Sequence, residues 1–267
     1  MKELQIRSIS GLLYVALLVT SAGWSDLAFF SVIFIFSSLA LWEFQRLIHH
    51  RSPVSFVLFG LLTYQLFNGN LQPNLHQILL GITLLTSIYL TYCLLAKKEI
   101  PTAPFQKSIL TFFYLIGSAY FILACVKLEG IQQNSITIIM YLMIWTNNSF
   151  AYLFGKRLGK NKLFPSISPK KSWEGFWGGA LMCLILGFGF MLFDSNYPKW
   201  TFPILALLIV FTATVGDLIQ SKFKRQAKVK DSGSLIPGHG GFFDRMDSVL
   251  FSAPFVYLFL KFTEYVS

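Results

Sequence analysis

Apolar residues fill nine stretches of the chain, separated by short polar segments. They run from about Ile9 to Trp24, Leu27 to Leu47, Val54 to Phe67, Ile78 to Ala96, Ile109 to Val126, Ser135 to Phe154, Phe176 to Phe193, Phe202 to Leu218 and Ser248 to Thr263. Crossing a bilayer takes about 20 mainly apolar residues, within a range of about 17 to 25. The pattern therefore predicts an all-α polytopic membrane protein with about nine transmembrane helices. The third stretch is short enough to be tilted, broken or re-entrant. The first follows a basic start, Lys2 and Arg7, as a signal peptide would. Another apolar stretch follows at once, with no small-residue cleavage site between them, so a first spanning helix is expected instead.

Charge orients these helices. Lys and Arg in short loops mark the cytoplasmic side. With nine spans and a cytoplasmic N-terminus, nineteen of the 22 basic residues lie inside and only Lys127, Lys199 and Lys261 outside. If the third stretch did not span, the best split would be fifteen against seven. The expected location is the inner (cytoplasmic) membrane, multi-pass, with the C-terminus outside. Composition agrees, with 54% hydrophobic residues, 28 Phe and only 13% charged, against about 25% charged in a soluble domain. No linker, low-complexity tract or soluble domain interrupts the pattern. Residues 1–267 read as one membrane domain, with N-terminal helices over 1–130 and the helices and loops that carry chemistry over 135–267. Cys93, Cys125 and Cys183 lie far apart inside apolar stretches and read as packing residues.

A net charge of +10 alone admits nucleic acid, anionic lipid or a phosphorylated substrate as partner. Position narrows this. Twelve of the 22 basic residues fall in two inner loops, Gly155 to Gly175 and Ile219 to Asp247, mixed with Gly, Pro, Ser, His and carboxylates. The positive-inside rule and attraction to anionic headgroups would explain the Lys and Arg alone. They do not explain the company those residues keep.

Asp217 stands at the inner end of an apolar stretch, in Thr214-Val215-Gly216-Asp217-Leu218-Ile219. An ionised carboxylate there is costly without a cation or hydrogen-bond donors. A snorkelling helix-end Asp is one reading; a bound metal ion, with Gly216 admitting a ligand or helix close to the backbone, is the sharper one. Asp244 and Asp247 are three residues apart, on one face if the last helix has begun by then. They would suit the positive end of a helix dipole whether or not they bind anything. The preceding Pro237-Gly238-His239-Gly240-Gly241 has the composition of a tight loop whose N–H groups can meet phosphate. Magnesium takes one or two carboxylates, several waters and substrate phosphates, so Asp217 and Asp244 together would make such a site. Lys222, Lys224, Arg225, Lys228 and Lys230 are placed to neutralise a transferring phosphoryl group and its leaving pyrophosphate.

The run Ser221-Lys222-Phe223-Lys224-Arg225, then Lys230-Asp231-Ser232-Gly233, then Leu235-Ile236-Pro237-Gly238-His239-Gly240-Gly241-Phe242-Phe243-Asp244-Arg245-Met246-Asp247, resembles the full signature of the phosphatidate cytidylyltransferases, the CDP-diacylglycerol synthases. Ala151-Tyr152, Gly155-Lys156, Gly159-Lys160 and Ser168-Pro169-Lys170-Lys171-Ser172-Trp173-Glu174-Gly175 resemble that family's second cytoplasmic block. The likeness covers most of the C-terminal half; the first 130 residues share only helical, Phe-rich character. It implies an all-helical membrane bundle, a homodimer, with a polar cavity open to the cytoplasm and the inner leaflet. It also implies CTP and phosphatidic acid as substrates within membrane lipids, no nucleic acid, and Mg2+ at Asp217 and Asp244 with K+ beside it. Site residues implied by the match are Lys224, Arg225, Lys230, Asp231, His239, Arg245 and Asp247, followed by Ser221, Lys222, Ser168, Lys170 and Lys171. One position departs: where the family carries Asp four residues before the Tyr of its Ala-Tyr pair, this chain has Asn148. A neutral amide oxygen holds a cation more weakly than a carboxylate.

The expected reaction is transfer of CMP from CTP to phosphatidic acid, giving CDP-diacylglycerol and pyrophosphate for phospholipid biosynthesis. Three alternatives stand beside it. They are nucleotidyl transfer to another phosphorylated lipid, a transporter, and a weakened homologue with a structural role.

Overall fold

The computed structural model describes residues 2–128, 135–193, 197–238 and 240–266. Among them nine helices follow the nine apolar stretches in order. They are α1 (Lys2–Trp24), α2 (Asp26–Leu47), α3 (Pro53–Phe67), α4 (Pro73–Leu95), α5 (Pro104–Val126), α6 (Ser135–Leu158), α7 (Trp173–Phe193), α8 (Thr201–Gln226) and α9 (Phe243–Val266). Six of them, α2, α4, α5, α7, α8 and α9, are long and apolar enough to cross a membrane. The chain is thus multi-pass. α3 has 15 residues, which at 1.5 Å per residue span about 22 Å, short of a hydrocarbon core of about 30 Å. α6 carries Asn147 and Asn148 in its middle and Lys156 and Arg157 in its last turn, which lowers its hydropathy.

Local chemistry sets the helix ends. Ser25 caps α2 by accepting the Ala28 N–H at 3.1 Å, and Pro opens α3, α4 and α5, where the missing N–H costs nothing. His49, Gly69, Lys97 and Lys228 take left-handed φ just past α2, α3, α4 and α8. Each lets the next amide return to the helix, as Lys98 N–H does to the Cys93 carbonyl at 3.0 Å.

α5 is the most buried of the six long apolar helices. It contains a π-helical stretch, Leu110–Ile116, that brings Tyr114 against Phe44 of α2 and Phe223 of α8, with ring centroids 5.8 and 5.7 Å apart. Phe44 also meets Phe223 and Phe243, each at 5.3 Å. Glycines bring the C-terminal helices together. A Cβ at Gly179 of α7 would strike Asn147 of α6, one at Gly187 would strike Phe202 of α8, and one at Gly216 of α8 would strike Phe251 and the Asp247 carbonyl of α9. Outward faces carry bare apolar side chains such as Leu12, Leu192 and Phe193, as lipid contact requires. The three cysteines are buried and unpaired.

Two features depart from the sequence expectation. A two-stranded antiparallel hairpin, β1 (Lys162–Phe164) with β2 (Ser168–Ser172), pairs Lys162 with Ser172 and Phe164 with Ser168; the fold is otherwise helical. α8 also continues past the apolar limit at Leu218 to Gln226. Its final two turns are amphipathic: Phe223 packs inward while Lys224 turns to the site.

Candidate active site

The extension of α8 creates the site. Asp217, Gln220, Ser221 and Lys224 recur at spacings of three and four, so they line one helical face. α9 answers with Asp244, Asp247 and Ser248 on its first two turns. The rings of Phe223 and Phe243, both packed on Phe44, fix the next residues in sequence, Lys224 and Asp244. Lys224 Nζ lies 2.7 Å from Asp244 Oδ1, which also accepts from Gln220 Nε2 at 2.9 Å. Asp244 Oδ2 faces Ser232 N–H at 2.8 Å, Ser232 Oγ at 2.9 Å and Gly241 N–H at 3.0 Å. Gly240 needs its left-handed φ of 82° here, and a Cβ on it would strike Asp244.

The second carboxylate lies on α8. Asp217 Oδ2 pairs with Lys171 Nζ of β2 at 2.7 Å, and its Oδ1 accepts from Ser221 Oγ at 3.3 Å. Lys224 is within electrostatic reach of Asp217 and Asp247 as well as Asp244. Asp247 Oδ1 accepts the Ser248 N–H at 2.5 Å. The hairpin thus brings a lysine 46 positions away in sequence onto α8.

Asp217, Asp244, Asp247, Ser221, Lys171 and Lys224 therefore come together as the sequence suggested. Asn148 borders them, donating to Ser248 Oγ at 3.5 Å and accepting from Asn147 at 3.4 Å. Arg225 reaches the Ile167 and Val229 carbonyls at 3.4 and 3.1 Å, so it ties the hairpin and the following loop to α8. Lys170, Lys230, Asp231 and Arg245 are exposed, and Ser168 is half-buried in β2. His239 lies outside the described residues.

Lys222 differs from its expected place. It is buried and points away from the carboxylates, donating to the Cys93 carbonyl at the end of α4 at 2.7 Å. Two positions after Gln220 and two before Lys224, it projects from the opposite face of the helix. Its role is in packing α8 on α4.

Glu43 was not singled out from the sequence, and Ser232 stood in the family signature without a role. Glu43 of α2 is fully buried; its Oε2 accepts the Phe243 N–H at 2.9 Å and faces Ser232 Oγ at 3.2 Å. A lone carboxylate within an apolar span was the signal that could have found it.

Among the described residues, no three His, Cys, Asp or Glu side chains form a ready metal centre. The donors at Asp217 and Asp244 are hard oxygens, which fit magnesium completed by water and phosphate oxygens. Lys171 and Lys224 stand on the oxygens such an ion would share.

A multi-pass helical protein with lysine-neutralised carboxylates at paired helix ends is suited to polyanionic substrates at a membrane surface. Comparison with known proteins makes the class definite. The model of the Cytidylyltransferase family matches residues 5–263, and the chain belongs to that family. It is 33% identical to the phosphatidate cytidylyltransferase of Bacillus subtilis (strain 168) over 274 residues, 97% of this chain and 98% of the relative. It is 36% identical to the proteins of that name from Staphylococcus saprophyticus and Staphylococcus aureus (strain COL), over 174 residues and 65% of each chain.

Proposed function

We propose that this enzyme transfers CMP from CTP to phosphatidic acid, forming CDP-diacylglycerol and pyrophosphate. The observation that carries the reading is the convergence of Lys171, Asp217, Lys224 and Asp244 where α8 and α9 meet. In the reaction a phosphate oxygen of phosphatidic acid bonds to the α-phosphorus of CTP as the bond to pyrophosphate breaks. Lys171 and Lys224 are already held at fixed positions, so their charge meets the transferring group without reorganisation. Arg225 and the Gly240-Gly241 turn hold the loop ends, and the exposed Lys170, Lys230 and Arg245 attract both anionic substrates.

Magnesium, bound by Asp217 and Asp244 and accompanied by potassium, would supply further neutralisation of phosphate charge. Nine spans, a cytoplasmic N-terminus and cytoplasmic active-site loops follow from the distribution of Lys and Arg. In that orientation the site would lie where cytosolic CTP and inner-leaflet lipid meet in the inner membrane. The homodimer expected of the family completes the reading.

The test is pyrophosphate release by purified protein in detergent with magnesium. The expected result is release that requires CTP and phosphatidic acid together. Equal release with another phosphorylated lipid in place of phosphatidic acid would reassign the acceptor, and release with neither would remove the proposal.

A further inference from the structure

Glu43 lies in a 22-residue apolar helix, 189 and 200 positions from the two groups it meets. It is 0% exposed, and among the described residues its Oε1 has no hydrogen-bond partner. A buried carboxylate half satisfied in this way is a poor contributor to stability, so its presence calls for another explanation.

The loop between α8 and α9 is shaped around this one side chain. Oε2 holds the Phe243 N–H, the first amide of α9, and faces the Ser232 hydroxyl, which also faces Asp244. Ser232 has one hydroxyl proton to share between the two carboxylates. Its backbone N–H serves Asp244 alone. A Cβ at Gly233 would have as its three nearest neighbours the Cγ, Cδ and Oε1 of Glu43, and one at Gly241 would strike the same carboxylate. Gly233 does not have a left-handed φ, so space for Glu43 is the constraint at that position. Between these contacts, Ile236 N–H bonds the Gly240 carbonyl at 2.9 Å and closes the loop on itself.

We propose that Glu43 is a positioning residue for nucleotidyl transfer. It clamps the two ends of the loop, Ser232 and Gly233 on one side and Gly241 and Phe243 on the other, against α2 so that Asp244 meets Lys224 in the required geometry. The inference rests on the reading of Asp244 given above. It also assigns the N-terminal half, where the sequence motifs alone offered only helical, Phe-rich character, a direct part in building the site.

Four variants and two readouts test it. Glu43→Gln keeps an acceptor for Phe243 N–H and puts its NH2 where Oε1 has no partner, so turnover stays within about threefold of the natural protein. Glu43→Ala lowers kcat on the order of a hundredfold, the penalty of a misplacement of roughly 1 Å, while KM for CTP moves little. Gly233→Ala alone also lowers kcat, but adds nothing in the Glu43→Ala background, because the group it strikes is gone. Hydrogen exchange in detergent reads the clamp without any reaction: the amides of Ser232 and Phe243 lose protection in Glu43→Ala while those of α5 keep theirs. Natural kcat in Glu43→Ala, losses that add in the double variant, or unchanged loop protection would each overturn the inference. Failure of the natural protein to release pyrophosphate would instead remove the function, and the exchange measurement would still decide the clamp.

Discussion

Asp244 on α9 and Asp217 on α8 lie in different surroundings. The Asp244 side chain is 5% exposed and surrounded by five donor groups from α8 and the loop that precedes α9. The Asp217 side chain is 30% exposed and meets one lysine, itself 26% exposed, and one serine. Asp244 therefore organises protein, while Asp217 keeps room on its open side. The two carboxylates thus differ in how far the protein itself already occupies them, Asp244 far more than Asp217.

Substituting each carboxylate should separate these roles, and gives the largest expected effects. Asp244→Asn abolishes pyrophosphate release and also destabilises the protein by about 3 to 5 kcal/mol, because Lys224 is left buried without its partner. Asp217→Asn abolishes release at a stability cost below about 1 kcal/mol, since its ion pair is more open to solvent. Thermal or denaturant unfolding in detergent, run beside the turnover assay, measures both. Equal stability losses would make the two surroundings equivalent, and retained turnover in either variant would remove that residue from the reaction.

The helices were legible in the sequence because spanning segments must be long and continuously apolar. The third stretch, short in sequence, is short in structure too. Asp217 was legible because a charge at the end of an apolar helix is expensive and needs a partner, Asp244 and Lys224 from the carboxylate spacing and the basic run as well, and Lys171 only from the resemblance to the family. The remainder depended on which face a residue takes. Lys222 stands in the same basic run as Lys224, and only the helical extension to Gln226 shows that one turns to α4 and the other to Asp244. The π-helical stretch at Leu110–Ile116 has no Gly or Pro to announce it. Glu43 was hidden because its partners lie about 190 to 200 positions away and are mostly backbone and glycine, which carry no charge pattern.

Lys222 gives a smaller effect that sharpens the contrast with Lys224. Lys222→Met removes the 2.7 Å hydrogen bond to the Cys93 carbonyl, worth about 1.5 to 3 kcal/mol for a charged donor. Part of this returns because Met fills the same apolar space without burying a charge. That carbonyl also keeps its bond from the Lys98 N–H. The expected outcome is a net loss of about 1 kcal/mol with KM for CTP unchanged. A tenfold rise in KM without loss of stability would return Lys222 to the substrate site.

Asn148 gives the smallest expected effect, on the open side of the comparison. Its two side-chain contacts, 3.4 and 3.5 Å, lie at the weak end of hydrogen bonding, and the residue is exposed. Asn148→Asp gives up the contact with Ser248 Oγ, whose hydroxyl retains the Ala213 carbonyl at 3.2 Å. It adds a negative charge beside the group formed by Asp217 and Asp247. If magnesium binds on that side, the added carboxylate lowers the magnesium concentration giving half-maximal pyrophosphate release, by roughly threefold to tenfold, because a carboxylate holds the ion better than an amide. The maximal rate then changes less than the magnesium dependence. Unchanged magnesium dependence would put the ion away from Asn148. Release by Asn148→Asp alone, with none from the natural sequence, would make the natural chain a weakened relative and Asn148 the cause.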